Sequence, residues 1–422
     1  MMPNRMRSGL VVGCLILVMA AGAMADDIRE MRLFGPPNVS PYGDGPEPAE
    51  GFFFTFDGLY WWISTPEKTP IGFPDLTRNV YFGPNDTDMV VQSNTHDTGF
   101  IKNFDTDGNR YEVGRIIDRW GWFVSHYNLS GQGTYDTLHD VDMVFVDDAF
   151  GPAGSRLLEG WYVDDPVAGT AVLRDLPVTF DEIDVVNRVE HWSVELNAVY
   201  RTRRKHHGGF FEFFAGCRYP EFDEEFKVDA IGATLTGDSI DVWEDNNRDG
   251  TWEEGTIDVG DDGFPLRTLG NSRWRTRAEN NIVGPQVGVR WFRQHGHWRL
   301  STEGRFFAGF NNQNIHQTGV FGSQLDASQL IEGRPAVFDT TGFENEADAL
   351  EFSPGAEFRI DLHYQLTRAI SVKVGWTGFY LDGIARASSI INYEVPTMGL
   401  NMGNNRQDVF IHGLNIGVEA NR

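Results

Sequence analysis

Gly355-Ala356-Glu357-Phe358-Arg359-Ile360-Asp361-Leu362-His363-Tyr364-Gln365 decides the fold. Ala356, Phe358, Ile360, Leu362 and Tyr364 are apolar, and Glu357, Arg359, Asp361, His363 and Gln365 lie between them. In an extended chain successive side chains point to opposite faces, so one face is apolar and the other charged. Ile370 to Tyr380 repeats the pattern, with Ile370, Val372, Val374, Trp376 and Tyr380 set against Ser371, Lys373 and Thr377. Working outward, ten such segments lie near 51–63, 110–117, 120–129, 187–200, 210–219, 282–293, 298–310, 355–365, 369–382 and 408–421.

The connections between these segments alternate. Five are long, at 64–109, 130–186, 220–281, 311–354 and 383–407. Four are short, around Asp118-Arg119, Arg203 to Gly208, Gln294 to His297 and Leu366 to Arg368. That wiring predicts an all-β, antiparallel up-and-down transmembrane β-barrel. It has at least ten strands, an even number, with long loops at one rim and short turns at the other. Each segment is about the length that crosses a bilayer at a tilt. The apolar faces carry Tyr60, Trp62, Trp192, Tyr200, Trp291, Trp298, Tyr364, Trp376 and Tyr380, as interfacial aromatic girdles do. Alternating strands also build soluble sandwiches, so a secreted β-sandwich that binds carbohydrate is the rival outside the fold.

Composition agrees with this reading. The chain has 422 residues, 61 acids against 35 Lys and Arg, and a formal charge of −26. Its 47 glycines and 13% aromatic content exclude a coiled coil or a disordered acidic tail. Beyond the N-terminus no apolar run reaches the roughly 20 residues of a spanning helix. A nucleic-acid partner is unexpected at this charge. Residues 1–25 read as a signal peptide: Arg5 and Arg7, an apolar run from Leu10 to Met19, then Ala23-Met24-Ala25. Val11 to Cys14 resembles a lipoprotein box, but cutting there leaves too short an apolar core. Residues 26–50 carry five prolines (Pro36, Pro37, Pro41, Pro46 and Pro48) and read as a flexible leader. The mature chain would keep Cys217 alone, so no internal disulfide is expected.

Four blocks carry a family resemblance. They are Gly58-Leu59-Tyr60-Trp61-Trp62, Phe211 to Tyr219, Gly284 to Trp291 and Gln407 to Glu419. In order and spacing they resemble an outer-membrane β-barrel family abundant in planctomycetes, distantly similar to Legionella-type major outer membrane proteins. The resemblance implies a porin-like barrel of the bacterial outer membrane without catalytic residues. Outer-membrane lipid and the barrel-assembly machinery would be its partners.

Two stretches are strongly acidic. Residues 130–185 hold 12 acids and 2 bases, a net of −10, and residues 220–270 hold 15 acids and 3 bases, a net of −12. Overhanging a pore, they would favour cations over anions. Within the second, Asp245, Asn247, Asp249 and Glu253 match the first part of a calcium loop, with Gly250 at the turn and Thr256 where the bidentate acid would be. Calcium is the one cofactor this spacing suggests. Asn103, Asp105 and Asp107 before Gly108 are a fainter copy. His295 and His297 read as a solvated turn and Arg203 to His207 as a basic turn. No serine elbow, zinc-protease helix motif, phosphate loop or dinucleotide fingerprint occurs, so no enzyme is expected. Period-2 parity places Glu195, Glu212, Arg218, Gln286, Arg290, Glu303, Arg305, Glu357, Arg359, Asp361, Lys373 and Glu419 on the lumen side. Their mixed signs predict ion-pair ladders. The functional expectation is cation-preferring passage of ions or small solutes, with a non-conducting structural or surface-adhesion barrel as the alternative within the fold.

Overall fold

The computed structural model describes residues 51–72, 77–81, 88–92, 96–102, 104–147, 162–165, 169–172, 175–203, 209–231, 239–244, 253–258, 272–321, 341–367, 369–395 and 398–421. The expected signal peptide and leader lie outside them. Ten strands form the barrel: β1 (Gly51–Ile63), β2 (Phe104–Ile117), β3 (Trp120–Asp147), β4 (Asp175–Arg201), β5 (Gly209–Ile231), β6 (Ser272–His295), β7 (Trp298–Phe321), β8 (Thr341–Gln365), β9 (Ile370–Ile384) and β10 (Gln407–Asn421). Each pairs antiparallel with its neighbour in sequence, and β10 pairs with β1, with Phe53 opposite Asn421 and Ile63 opposite Ile411. Closure through β10 and β1 excludes the two-sheet sandwich.

The outward face of the lower barrel is a lipid-facing band. It carries Phe52, Phe54, Val113, Val287, Phe306, Phe358, Val374 and Ile416, all exposed. Aromatic pairs bound it at both levels. Trp120 meets Tyr200 at 4.9 Å and Trp298 meets Tyr364 at 4.8 Å beside the short turns. Trp192 meets Tyr219 at 5.5 Å and Phe310 meets Phe352 at 5.9 Å at the far boundary. Cys217 is exposed within this band.

Six strands run well past the ends expected from the sequence. β3 to β8 extend into the stretches 130–186, 220–281 and 311–354, where the sequence predicts loops. β7, with 24 residues, is about 80 Å long. At a tilt of about 40° that is about 60 Å along the axis, against an apolar band about 25 Å tall. The surplus is a collar beyond the lipid. There the pattern inverts: on β5, Phe222, Phe226, Val228 and Ala230 are buried inside while Glu221, Asp223, Glu225 and Asp229 face out. On β6, Trp274, Ala278 and Ile282 are inside while Arg273, Arg275, Arg277 and Glu279 face out. The period stays at two. Only the medium outside changes, from lipid to water, so the apolar positions move to the interior.

β1, β2, β9 and β10 have only 13, 14, 15 and 15 residues. The collar wall is therefore incomplete on their side. The connection between β9 and β10 fills that side by turning inward instead of forming the external loop expected for 383–407. Ile384, Ala385, Arg386, Ala387 and Ile390 are all fully buried. Ile384, Ala385, Ala387 and Ile390 share one apolar core with Leu59, Trp61, Phe222, Trp274, Ile315, Phe379 and Ile411. Gly383 starts the turn with φ +71°, a backbone conformation that favours glycine. Outside the barrel, four short strands form a separate sheet in the order 253–258, 239–244, 88–92 and 77–81.

Candidate functional site: the charged interior

Below the apolar core the interior is ionic. The inward positions of the lower barrel carry Asp57, Glu112, Glu195, Glu212, Glu303, Glu357, Asp361 and Glu419, and against them Arg110, Arg201, Arg218, Arg290, Arg299, Arg305, Arg359 and Lys373. That is eight acids against eight bases. Many of the pairs bridge opposite walls. Arg218 on β5 donates through Nη1 to Glu357 Oε2 on β8 at 2.6 Å. Arg290 on β6 reaches Glu112 on β2 at 3.3 Å and Glu212 on β5 at 3.6 Å, and also bonds Glu303. Arg305 on β7 joins Glu303 to Glu195 on β4. Lys373 on β9 meets Asp57 on β1 at 2.9 Å. Arg359 donates to Glu357 at 3.0 Å and lies 3.9 Å from Glu112.

A ten-stranded barrel is slightly wider than the eight-stranded kind that side chains fill, and long arginines span the difference. Rings lend further support: Arg218 stacks on Phe379 at 4.3 Å, and Arg110 on Trp61 at 5.0 Å and Tyr127 at 5.5 Å. Burying so many charges is tolerable only because nearly every one has a partner of opposite sign.

Beneath this layer a cavity of about 280 Å³ reaches the short-turn rim. Arg290, Arg359 and Glu112 form its roof, and Gly51, Gln294, Gln365 and Asn421 lie at the rim. Asp361, Lys373 and Glu419 line it too, with Arg299 and His363 both on Glu419.

All twelve residues expected on the lumen side face inward, and Glu195, Glu212, Arg218, Gln286, Arg290, Glu303, Arg305, Glu357, Arg359, Lys373 and Glu419 are joined by ion pairs or hydrogen bonds. Asp361 lines the cavity. Parity could also have found Asp57, Arg110, Glu112, Arg201 and Arg299, which belong to the same set. Asp57 was hidden in the aromatic run of β1, although it alternates with Phe54 and Phe56.

Asp245, Asn247 and Asp249 lie outside the described residues. Glu253 opens a short strand whose partner is Ser239–Glu244, with Glu253 opposite Glu244, so the calcium-like stretch joins the two arms of a hairpin. Of the fainter copy, Asn103 lies outside the described residues, and Asp105 and Asp107 sit on β2 and face outward. His297 Nδ1 bonds the Gln365 carbonyl oxygen at 3.0 Å and its ring stacks on Tyr364.

The fold and its polar interior define a class, the closed antiparallel up-and-down β-barrel with an apolar outer band and a charged lumen. Within that class, residues 262–421 match the model of the family described as putative beta barrel porin-7, which covers β6 to β10. No curated protein matches the chain in sequence. Among solved structures it is similar to the outer membrane protease OmpT from Escherichia coli, at 8% identity over 89% of this chain and 97% of that one, with a TM-score of 0.37. It is also similar to the toluene transporter TodX from Pseudomonas putida, at 7% identity over 92% of both chains and a TM-score of 0.21. The toluene transporter TbuX from Ralstonia pickettii is 8% identical over 93% of this chain and 100% of that one, with a TM-score of 0.19. These scores are too low to carry an activity from those proteins to this chain.

Proposed function

We propose that this chain serves the outer membrane as a barrel shut in its resting conformation, presenting a collar and loops beyond the lipid, and not as an open general pore or an enzyme. The cross-wall ion pairs of Arg218 with Glu357 and Arg290 with Glu112 carry this reading, since they span the lumen between non-adjacent strands. The buried segment from Ala385 to Ile390 adds a second barrier above them. Export by the N-terminal segment and insertion by the barrel-assembly machinery belong to the same reading. The test is reconstitution in planar bilayers. Steady conductance should be absent, and a stable ohmic conductance overturns the closed barrel.

A second reading is gated passage of small solutes. The cavity at the short-turn rim favours it, because only the layers above it block a path. Cation preference would then come from the acidic loops, since the interior charges balance and give no strong field of one sign. Transient cation-selective openings whose selectivity fades as salt rises would support this reading over the first.

A further inference from the structure

We propose that His316, Glu344 and Glu346 form a binding site for a divalent transition metal, of the zinc kind, on the outer wall of the collar. His316 on β7 stands directly opposite Glu346 on β8, and Glu344 lies two residues along the same face. All three are exposed, above the point where the outward face of β7 changes from Phe310 to Asn312 and Asn314. His316 Nε2 is 3.0 Å from Glu344 Oε1 and 3.7 Å from Glu346 Oε1, and all three ligand atoms lie within 4.8 Å of one another. Bonds of about 2.1 Å around a tetrahedron put ligand atoms about 3.4 Å apart. The trio therefore needs only small rotamer shifts to close on one ion, leaving the remaining position to water.

Charge points the same way. The two carboxylates carry −2 side by side, and among the described residues neither has an ion pair with lysine or arginine. The nearest base on the facing strand is Arg277, in register with His316, but its guanidinium is held by Asp223 at 2.9 Å and Glu279 at 3.3 Å. A divalent cation would neutralise the carboxylates, and the imidazole selects a transition metal over calcium or magnesium. The location gives the ion a mechanical role. The β8–β9 ladder runs only from Gly355 to Gln365 on β8, whereas the β7–β8 ladder continues to Thr341. The upper half of β8 is thus laddered to β7 alone, and an ion bound by both strands would clip that edge in place.

The experiment uses the full chain, purified in detergent, stripped with chelator and titrated calorimetrically with zinc chloride. His316→Ala and the double variant Glu344→Gln/Glu346→Gln should each lose one zinc equivalent, or weaken it about tenfold or more. His295→Ala/His297→Ala should bind as the parent does. Zinc should also raise the temperature of heat-modifiable unfolding in the parent and not in the first two variants. His316, Glu344 and Glu346 are exposed, and unchanged heat-modifiable mobility without metal verifies that the variants fold. A parent that binds no zinc overturns the proposal, as does a His316→Ala variant with the parent's stoichiometry and affinity.

Discussion

Asn280 clasps the backbone of Ala385 from both sides. Its Nδ2 donates to the Ala385 carbonyl oxygen at 2.9 Å, and its Oδ1 accepts from the Ala385 N–H at 2.8 Å. A side-chain amide thus takes the place of a neighbouring strand where the segment after β9 leaves the wall. Asn311 and Gln313 extend the clasp to the Gly383 carbonyl at 2.9 and 3.1 Å, and Gln313 also bonds the Asn405 carbonyl at 3.0 Å. Asn280→Ala leaves two buried backbone groups unpaired, at about 1–3 kcal/mol each. The variant should unfold at lower urea and become open to trypsin after Arg386, which is fully buried in the parent. Unchanged trypsin resistance would mean the clasp does not hold the segment.

The same segment is anchored electrostatically. Arg386 donates through Nε to Glu224 on β5, and both side chains are buried. Removing one partner strands the other charge, so Arg386→Ala should lose roughly 3–5 kcal/mol in urea titration. Replacing both by apolar residues, Arg386→Met with Glu224→Leu, should recover much of that loss. A double variant as unstable as the single would show that the pair contributes more than the relief of its own desolvation.

In the ionic layer, Arg305 serves both Glu195 and Glu303 and is fully buried among them. Arg305→Ala takes the only basic partner from buried Glu195 among the described ion pairs and leaves Glu303 to Arg290. Loss of several kcal/mol is expected by the same reasoning. Arg275→Ala, which removes an exposed pair with Glu225 on the collar, should change stability by no more than about 1 kcal/mol. Equal effects in the two variants would mean that the lumen is wetter than its ion pairs suggest.

The lower barrel was legible because lipid outside and charge inside keep one phase of alternation from Ala356 to Tyr364, and from Trp192 to Tyr200. The collar was not. Past Phe310 and Tyr219 the phase inverts, and a search for apolar residues on the same face stops at the membrane boundary. The inward turn at Gly383 was hidden for a different reason. Its partners Asn280, Asn311, Gln313 and Glu224 lie far away in sequence and read as ordinary polar strand residues. The stretch Ala385 to Ile390 has no period that tells a buried connection from an exposed one. Parity located the interior charges, but which arginine crosses to which glutamate depends on three-dimensional closure.

Asp223 supplies a pH prediction outside the lipid band. Burial in the collar wall is the main cause that raises its carboxyl to about 6, with Glu221 and Glu279 adding to the shift and the Arg277 hydrogen bond opposing it. An unfolded aspartate titrates near about 3.9. Between those values the folded state holds a proton that the unfolded state has released, so stability falls as pH rises through the window and stays reduced above it. Asp223→Asn cannot ionise. Its stability relative to the parent should therefore rise between about pH 4 and pH 7, by on the order of 1–2 kcal/mol after allowing for solvent screening. Urea midpoints of both proteins across that range test this, and a constant difference would contradict it.

The last prediction concerns calcium at Asp245, Asn247, Asp249 and Glu253. Oxygen-bearing side chains at alternate positions can curl around a hard cation, and Gly250 allows the tight turn. The hairpin from Ser239–Glu244 to Glu253–Asp258 holds the two ends of that stretch side by side, since Glu244 and Glu253 pair directly. Its arm 239–244 also pairs with 88–92, so an ion held there would brace a sheet shared by two long connections. Limited proteolysis with and without calcium is the measurement. Calcium should protect residues 220–270 in the parent, and Asp245→Ala/Asn247→Ala/Asp249→Ala should abolish that protection while heat-modifiable mobility stays unchanged. Because His316, Glu344 and Glu346 belong to β7 and β8, zinc binding there should survive the triple substitution. Calcium protection that persists in the triple variant would remove the ion from this stretch and leave an ordinary acidic turn.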